Sequence, residues 1–198
     1  MCRSASTATG SLPISSTTAA AALTATVGWV DAAVIGLNLC PFARSVQVGK
    51  RVRYVVSTAR TSEELLSALR TELLLLQQTA IDVVETTLLV HPWVLGAFRD
   101  YNDFLGEADD LLVALALDGE LQIASFHPGY QFAGTSADDI SNYTNRSPFP
   151  TLHLLRESSV SFATESMPDT NAIYEANLIT LTALGLAGWQ ALGVSAPD

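Results

Sequence analysis

The sequence predicts an α/β fold, a layered sandwich with at least three mostly parallel strands and helices packed on the sheet. Three segments rich in β-branched and apolar residues, 52–57, 86–91 and 121–126, have strand character. They alternate with segments of helical periodicity, which is typical of β-α-β units with parallel pairing. An α+β arrangement is the alternative.

The helices are predicted from apolar residues that recur at intervals of three and four. One lies over residues 61–78, where Thr61 and Glu64 have the spacing of a capping box and leucines follow at helical intervals. Pro41 ends an earlier helix because proline removes a backbone donor. The predicted helices cover residues 25–36, 61–78, 95–106 and 169–186, and residues 109–117 extend the third or form another.

The segment 127–150 is rich in Gly, Pro, Ser, Asn and Asp and is predicted to be a long irregular loop with a short helix near Asp138. Loops of this length inside a compact domain are usually functional or disordered. The aromatic residues within this loop argue against disorder. The residues that follow it, 151–157, fit either a helix or a strand.

Charge and composition limit the partners that we expect. The chain has 10 basic and 20 acidic residues and a net charge of −10, whereas a nucleic-acid binder needs a basic face. Every long apolar stretch contains a charge, so no membrane span is predicted. We therefore expect neither nucleic acid nor a membrane as a partner.

The first 24 residues are mostly Ala, Ser and Thr, and Arg3 is their only charged residue. We expect residues 1–24 to be a disordered leader or a transit peptide, and residues 25–198 to form a single α/β domain. Only Cys40 lies outside the leader, so a reducing compartment is expected. That compartment is the cytoplasm, or an organelle matrix if the leader is a transit peptide. The oligomeric state stays open.

Two histidines occupy equivalent positions in the predicted sheet. His91 ends the second strand and His127 ends the third, and a proline follows each. Two neighbouring parallel strands would bring both imidazoles side by side to the carboxyl edge, where open α/β sheets bind ligands. There they could act as an acid and base pair. The alternative is that each ring only hydrogen-bonds a nearby carbonyl.

His153, the third histidine, follows the long loop and could reach the same edge. Three histidines can hold a divalent metal ion with an open position for water. Because the spacing of His91, His127 and His153 forms no compact ligand motif, we favour the absence of a cofactor and keep a divalent metal as the alternative.

Other residue types could take part in chemistry at the same edge. Cys40 could be a nucleophile with a histidine as its base, or a small buried apolar residue. Asp103 could be a base or a solvated surface charge. Because an arginine fork grips carboxylate or phosphate, the donors within and after the loop favour an anionic small molecule. The alternative is that they satisfy the backbone of the loop itself. The candidate substrate-binding residues are Tyr130, Asn145, Arg146 and Arg156.

Several long strings carry a resemblance to a known family. They are GLNLCPFA (36–43), HPW (91–93), DYNDFL (100–105), FHPGYQFAG (126–134) and NYTNRSPFPTLHLLRE (142–157). Over residues 25–190 the chain resembles the uncharacterised family known as domain of unknown function 1415. The resemblance implies no activity, substrate or cofactor. It implies that the family shares Cys40, His91, Asp100, Asn102, Asp103, His127, Tyr130, Asn145, Arg146, His153 and Arg156.

Three functions remain open from the sequence. The first is an enzyme that acts on a small anionic substrate at the carboxyl edge, with His91 and His127 as acid and base. The second is a binding or partner-docking domain without chemistry, with the 127–150 loop as its contact surface. The third is a metal-dependent hydrolase that uses the three histidines.

Overall fold

The computed structural model describes residues 18–166 and 170–195, and its centre is a four-stranded mixed sheet with helices on both faces. This arrangement confirms the predicted fold class. The strands are β1 (Val52–Val56), β2 (Thr86–Val90), β3 (Leu121–Phe126) and β4 (Thr151–Arg156). The helices are α1 (Ala19–Trp29), α2 (Ala43–Val48), α3 (Ser62–Gln78), α4 (Phe98–Ala114), α5 (Glu157–Ser166) and α6 (Thr170–Ala191).

The strand order is β1-β2-β4-β3, and β4 runs against both of its neighbours. Strands β1 and β2 pair in parallel, as the sequence predicts. Strands β2 and β3 point the same way, so their carboxyl ends do share one edge of the sheet. The expectation that they are adjacent is wrong, because the segment 151–157, which fitted either a helix or a strand, contributes β4 between them.

One face of the sheet is covered by α3 and α4. Leu65, Leu69, Leu73 and Leu76 of α3 are fully buried and pack in the same cluster as Leu152 and Leu154 of β4. Their three- and four-residue spacing places these leucines on one helical stripe. Helix α3 begins at its predicted cap, because the Thr61 hydroxyl oxygen accepts from the Glu64 backbone N–H at 3.2 Å. Helix α4 is one continuous helix through residue 114.

The other face is covered by α1, a π-helical segment (Val30–Ile35) and α6. The helix predicted over 25–36 begins at Ala19, where the Thr18 hydroxyl oxygen accepts from the Ala21 N–H. The start was predicted too late because an alanine-rich stretch, which favours helix, was assigned to the leader. The rest of the leader, residues 1–17 with Cys2, lies outside the described residues, so the transit peptide stays a prediction.

The 127–150 loop is tied to itself and to the sheet by side-chain hydrogen bonds. Asn142 Oδ1 accepts from the backbone N–H of Phe132 at 2.9 Å and from the Thr135 hydroxyl at 2.9 Å. The short helix expected near Asp138 is a 3-10 turn at Ile140–Thr144. Helix α6 runs past the predicted end at residue 186, with an interruption at Gly185, whose φ is 65°. Within the described parts of the chain, no helix is long and apolar enough to cross a membrane.

Candidate functional site

His91 and His127 leave the carboxyl ends of β2 and β3 and turn toward α4. The Nδ1 atom of His91 lies 3.1 Å from the Val94 carbonyl oxygen, and the Nε2 atom of His127 lies 3.2 Å from the Leu95 carbonyl oxygen. The Gly129 N–H donates to His127 Nδ1 at 2.9 Å. The residues are 0% and 2% exposed. Both rings therefore hold the loop that follows β2.

The ring of Tyr101 lies against both imidazoles. Its centroid is 5.7 Å from that of His91 and 5.1 Å from that of His127, so the two imidazoles lie within the sum of those distances. That sum is below the ~12 Å at which one small substrate could no longer join two groups. The tyrosine ring, however, contacts both rings directly. The edge predicted to hold a site is therefore occupied by packed aromatic side chains.

The hydrogen bonds assign the protons of these two histidines. Because a carbonyl only accepts, the proton of His91 sits on Nδ1, which leaves Nε2 as an acceptor with no partner among the described residues. In His127, Nδ1 accepts from Gly129 and Nε2 carries the proton. Burial lowers the pKa of His91 to about 4 and that of His127 to about 4. Both rings are neutral near pH 7.

Arg146 and Asn145 hold the long loop in place. Arg146 donates from Nε to the Tyr130 carbonyl at 3.2 Å and from Nη2 to the Ala137 carbonyl at 2.6 Å. Its guanidinium also lies over the Tyr143 ring, 4.2 Å from the centroid. Asn145 Nδ2 donates to the Ser125 carbonyl of β3. These donors, predicted to bind substrate, are engaged with the backbone of the loop and the sheet.

Arg156 lies at the opposite edge of the sheet from His91 and His127. It is the last residue of β4, which runs antiparallel to β2 and β3. Its Nη2 atom contacts three backbone carbonyls at the end of α3 and in the turn that follows, those of Leu76, Thr79 and Val84, at 2.6 to 3.1 Å. The direction of β4 therefore places Arg156 away from the histidine pair, and anion binding by Arg156 stays a prediction.

Asp103 and Tyr130, also predicted near this edge, differ in their exposure to solvent. Asp103 is exposed on α4. Tyr130 is half-buried, and its ring packs against Phe98 at 5.2 Å and Phe132 at 5.0 Å between centroids. Phe98 also packs against His127 at 5.4 Å between centroids, so Tyr130 belongs to the aromatic cluster beside the histidine pair, whereas Asp103 faces solvent.

His153 and Cys40 line a cavity on the other face of the sheet, which we call the His153 cavity. Its volume is about 730 Å³, and its walls come from β2, β3 and β4, the helical segment before Cys40, and α5. The wall is predominantly apolar. Among the residues that line it are Trp29, Cys40, Arg51, Glu85, Ala124, Phe126, His153 and Ser159.

His153 presents an unprotonated nitrogen in this cavity. Its Nε2 lies 2.7 Å from the Thr86 hydroxyl oxygen, which itself donates to the Leu154 carbonyl at 2.6 Å. Because the hydroxyl proton is used there, Thr86 accepts from His153, and Nδ1 is left as an acceptor without a partner in the described chain. Burial lowers the pKa of His153 to about 4. The ring is therefore neutral near pH 7.

The charged residues of the cavity wall neutralise each other. Arg51 and Glu85 form a salt bridge, and among the described residues that line the cavity no other Asp, Glu, Lys or Arg is present. The indole N–H of Trp29, a residue that is 2% exposed, has no hydrogen-bond partner in the described chain, and neither has the Ser159 hydroxyl. No sequence motif marks Trp29 as a residue of this cavity wall.

The predicted three-histidine metal site is not formed. The rings of His91 and His127 contact Tyr101 of α4, whereas His153 faces α1 on the opposite side of the sheet. Strand alternation explains the difference, since residues 152 and 154 point toward α3 and α4. Within residues 18–166 and 170–195, no group of three His, Cys, Asp or Glu side chains is placed to hold a metal ion.

Comparison with known proteins gives one match. A family model described as "Protein of unknown function (DUF1415)" matches residues 21–191. No curated protein and no solved structure matches the chain.

Proposed function

This chain belongs to the DUF1415 family, whose description carries no activity, and we propose on its geometry that it binds a small, largely apolar molecule in the His153 cavity. One observation carries the proposal. A cavity of about 730 Å³ falls within the roughly 300–1,000 Å³ of small-molecule sites, which are mostly apolar with a few placed polar groups. His153 and Trp29 supply such groups here.

The hydrophobic effect supports the same proposal. The cavity is large enough to admit water, and its wall is predominantly apolar, so water in the cavity leaves that surface hydrated. An apolar molecule would remove this surface from water, at roughly 25 cal/mol per Å². The cavity therefore favours an occupant whose body is hydrocarbon or aromatic.

The alternative of an acid–base enzyme with an anionic substrate has less support. His91 and His127 are buried and already contact backbone groups, and Arg146 donates to carbonyls of its own loop. These contacts favour a structural role for the three residues. A docking role for the 127–150 loop has less support as well, because the loop is held to the sheet and Phe149 is buried.

The proposal is tested with an uncharged fluorescent probe, N-phenyl-1-naphthylamine, which brightens in apolar surroundings. We expect saturable binding at one probe per chain. Ala124 lines the cavity from β3, so Ala124→Phe should fill it and weaken binding by ~10-fold or more. Ala114→Phe, on the exposed surface of α4, is the matched control and should leave binding unchanged.

Two results would overturn the proposal. One is fluorescence that rises without saturation, which indicates partition onto the surface. The other is equal binding by the two phenylalanine variants while both retain the melting temperature of the parent protein.

A further inference from the structure

We infer that the occupant of the His153 cavity is an uncharged amphiphile, an apolar chain or ring that carries one hydroxyl or primary amide group. This inference rests on the proposed function and adds the chemical class of the ligand. It is carried by the charges and by the unpartnered polar atoms of the cavity wall.

The charge balance of the wall disfavours a charged ligand. Arg51 is paired with Glu85, and their side chains are 30% and 16% exposed, so neither offers an unpaired charge to a ligand. His153 is neutral near pH 7. A carboxylate or an ammonium group would therefore lose its hydration without gaining an opposite charge, which is costly in an apolar site.

The unpartnered polar atoms indicate what the ligand offers instead. The Trp29 indole N–H is buried without a partner in the described chain, whereas His153, which is half-buried, keeps Nδ1 free to accept because Nε2 donates to Thr86. Buried polar groups in folded proteins nearly always have a partner, so the Trp29 N–H points to a ligand that accepts, and a ligand that also donates can use His153 Nδ1. A hydroxyl or a primary amide both donates and accepts.

Trp29 and His153 both lie beside the ring of Phe126. The Phe126 centroid is 5.1 Å from that of Trp29 and 5.9 Å from that of His153. Both polar residues therefore border the same apolar surface at the carboxyl end of β3. The polar end of the ligand belongs beside Phe126, with its apolar part toward the remaining wall.

The test compares three molecules of one chain length as competitors of N-phenyl-1-naphthylamine. They are 1-decanol, decanoate and decyltrimethylammonium, used below their aggregation concentrations. We expect 1-decanol to displace the probe, and each charged competitor to be at least ~10-fold weaker. Trp29→Phe keeps an aromatic ring but removes the N–H. It should weaken the binding of 1-decanol by ~3- to 10-fold while the affinity for the probe stays unchanged.

A second variant makes the charge argument independent of Trp29. Glu85→Gln removes the negative partner of Arg51, so decanoate should gain ~10-fold in affinity while 1-decanol stays unchanged. Glu107→Gln, on the exposed surface of α4, makes the same chemical change away from the cavity and should alter neither competitor.

The outcomes separate the two proposals. Saturable probe binding that Ala124→Phe blocks, together with equal or stronger binding of decanoate than of 1-decanol, overturns the inference and leaves the proposed function standing. The same holds if Glu85→Gln leaves decanoate unchanged in a protein that melts normally. Absence of probe binding overturns both.

Discussion

The hydroxyl of Tyr101 donates to the carbonyl oxygen of Thr151 at 2.9 Å and accepts from the backbone N–H of Phe126 at 3.2 Å. One side chain of α4 thus satisfies backbone groups at the first residue of β4 and the last residue of β3. The Tyr101 ring meanwhile lies against both histidines predicted to form a catalytic pair.

Tyr101→Phe is expected to destabilise the fold by roughly 1–3 kcal/mol, because it leaves a buried carbonyl and a partly buried N–H without their partner. Urea denaturation followed by circular dichroism measures the loss. Tyr174→Phe is the control, since Tyr174 is 53% exposed on α6. Equal stability of the two variants would show that the Tyr101 hydroxyl contributes nothing to the fold.

Arg156→Met is expected to lower the free energy of unfolding by about 2 kcal/mol and to leave probe binding in the His153 cavity unchanged. The guanidinium contacts three carbonyls at the end of α3, and hydrogen bonds from a charged donor contribute about 1.5–3 kcal/mol. Arg99→Met on the exposed surface of α4 is the control. Loss of probe binding by a stably folded Arg156→Met protein would argue for a ligand-binding role.

Stability is expected to fall as the pH falls from about 6.5 toward 4. The three histidines have a folded pKa of about 4, against 6.5 for an unperturbed side chain. Between these values the unfolded chain binds more protons than the folded one, so the free energy of unfolding decreases with decreasing pH. The slope is at most about 1.4 kcal/mol per pH unit for each histidine.

The ring-proton signals of the three histidines in NMR spectra measure their pKa values in the folded protein directly. We expect none of them to shift between pH 8 and pH 6, where an exposed histidine titrates with a midpoint near 6.5. A midpoint near 6.5 for any of the three would mean that the ring reaches solvent, and would return His91 and His127 to consideration as acid and base.

Two glycine-to-alanine changes are expected to have opposite signs. Gly106 lies within α4, and an added Cβ meets no atom within 4 Å, so Gly106→Ala should stabilise by about 0.5–1 kcal/mol. Gly185 interrupts α6 with a φ of 65°, where an L side chain is strained, so Gly185→Ala should destabilise by about 1 kcal/mol. Thermal melts of the two variants measure both changes in stability.

Cys40 is expected to report occupancy of the His153 cavity, which it lines. In a Cys2→Ser background it is the only thiol of the chain. Alkylation by N-ethylmaleimide should slow by several-fold when N-phenyl-1-naphthylamine saturates the protein, because the probe shields the sulfur. The same reaction in urea should show no such protection. Equal rates in the native protein with and without probe would place the bound probe away from Cys40.

Local patterns of residues determined most of the secondary structure. β-branched runs gave β1, β2 and β3, and the capping spacing of Thr61 and Glu64 gave the start of α3, because these signals act between residues close in sequence. The order of strands and helices along the chain also determined that His91 and His127 leave the sheet at the same edge, because β-α-β connections keep the strands in one direction.

Only the tertiary structure decided what those residues face. The insertion of β4 between β2 and β3 depends on pairings across more than 60 residues, as between Leu88 and His153, and no local pattern encodes a strand's partner. Because β4 is antiparallel to β2 and β3, Arg156 lies at the edge of the sheet opposite His91 and His127. The register of β4 places His153 on the face of the sheet that α1 covers. The His153 cavity is assembled from segments as distant in sequence as Trp29 and Ser159. No local sequence pattern predicts that such residues come together, because their contact depends on the packing of the whole chain.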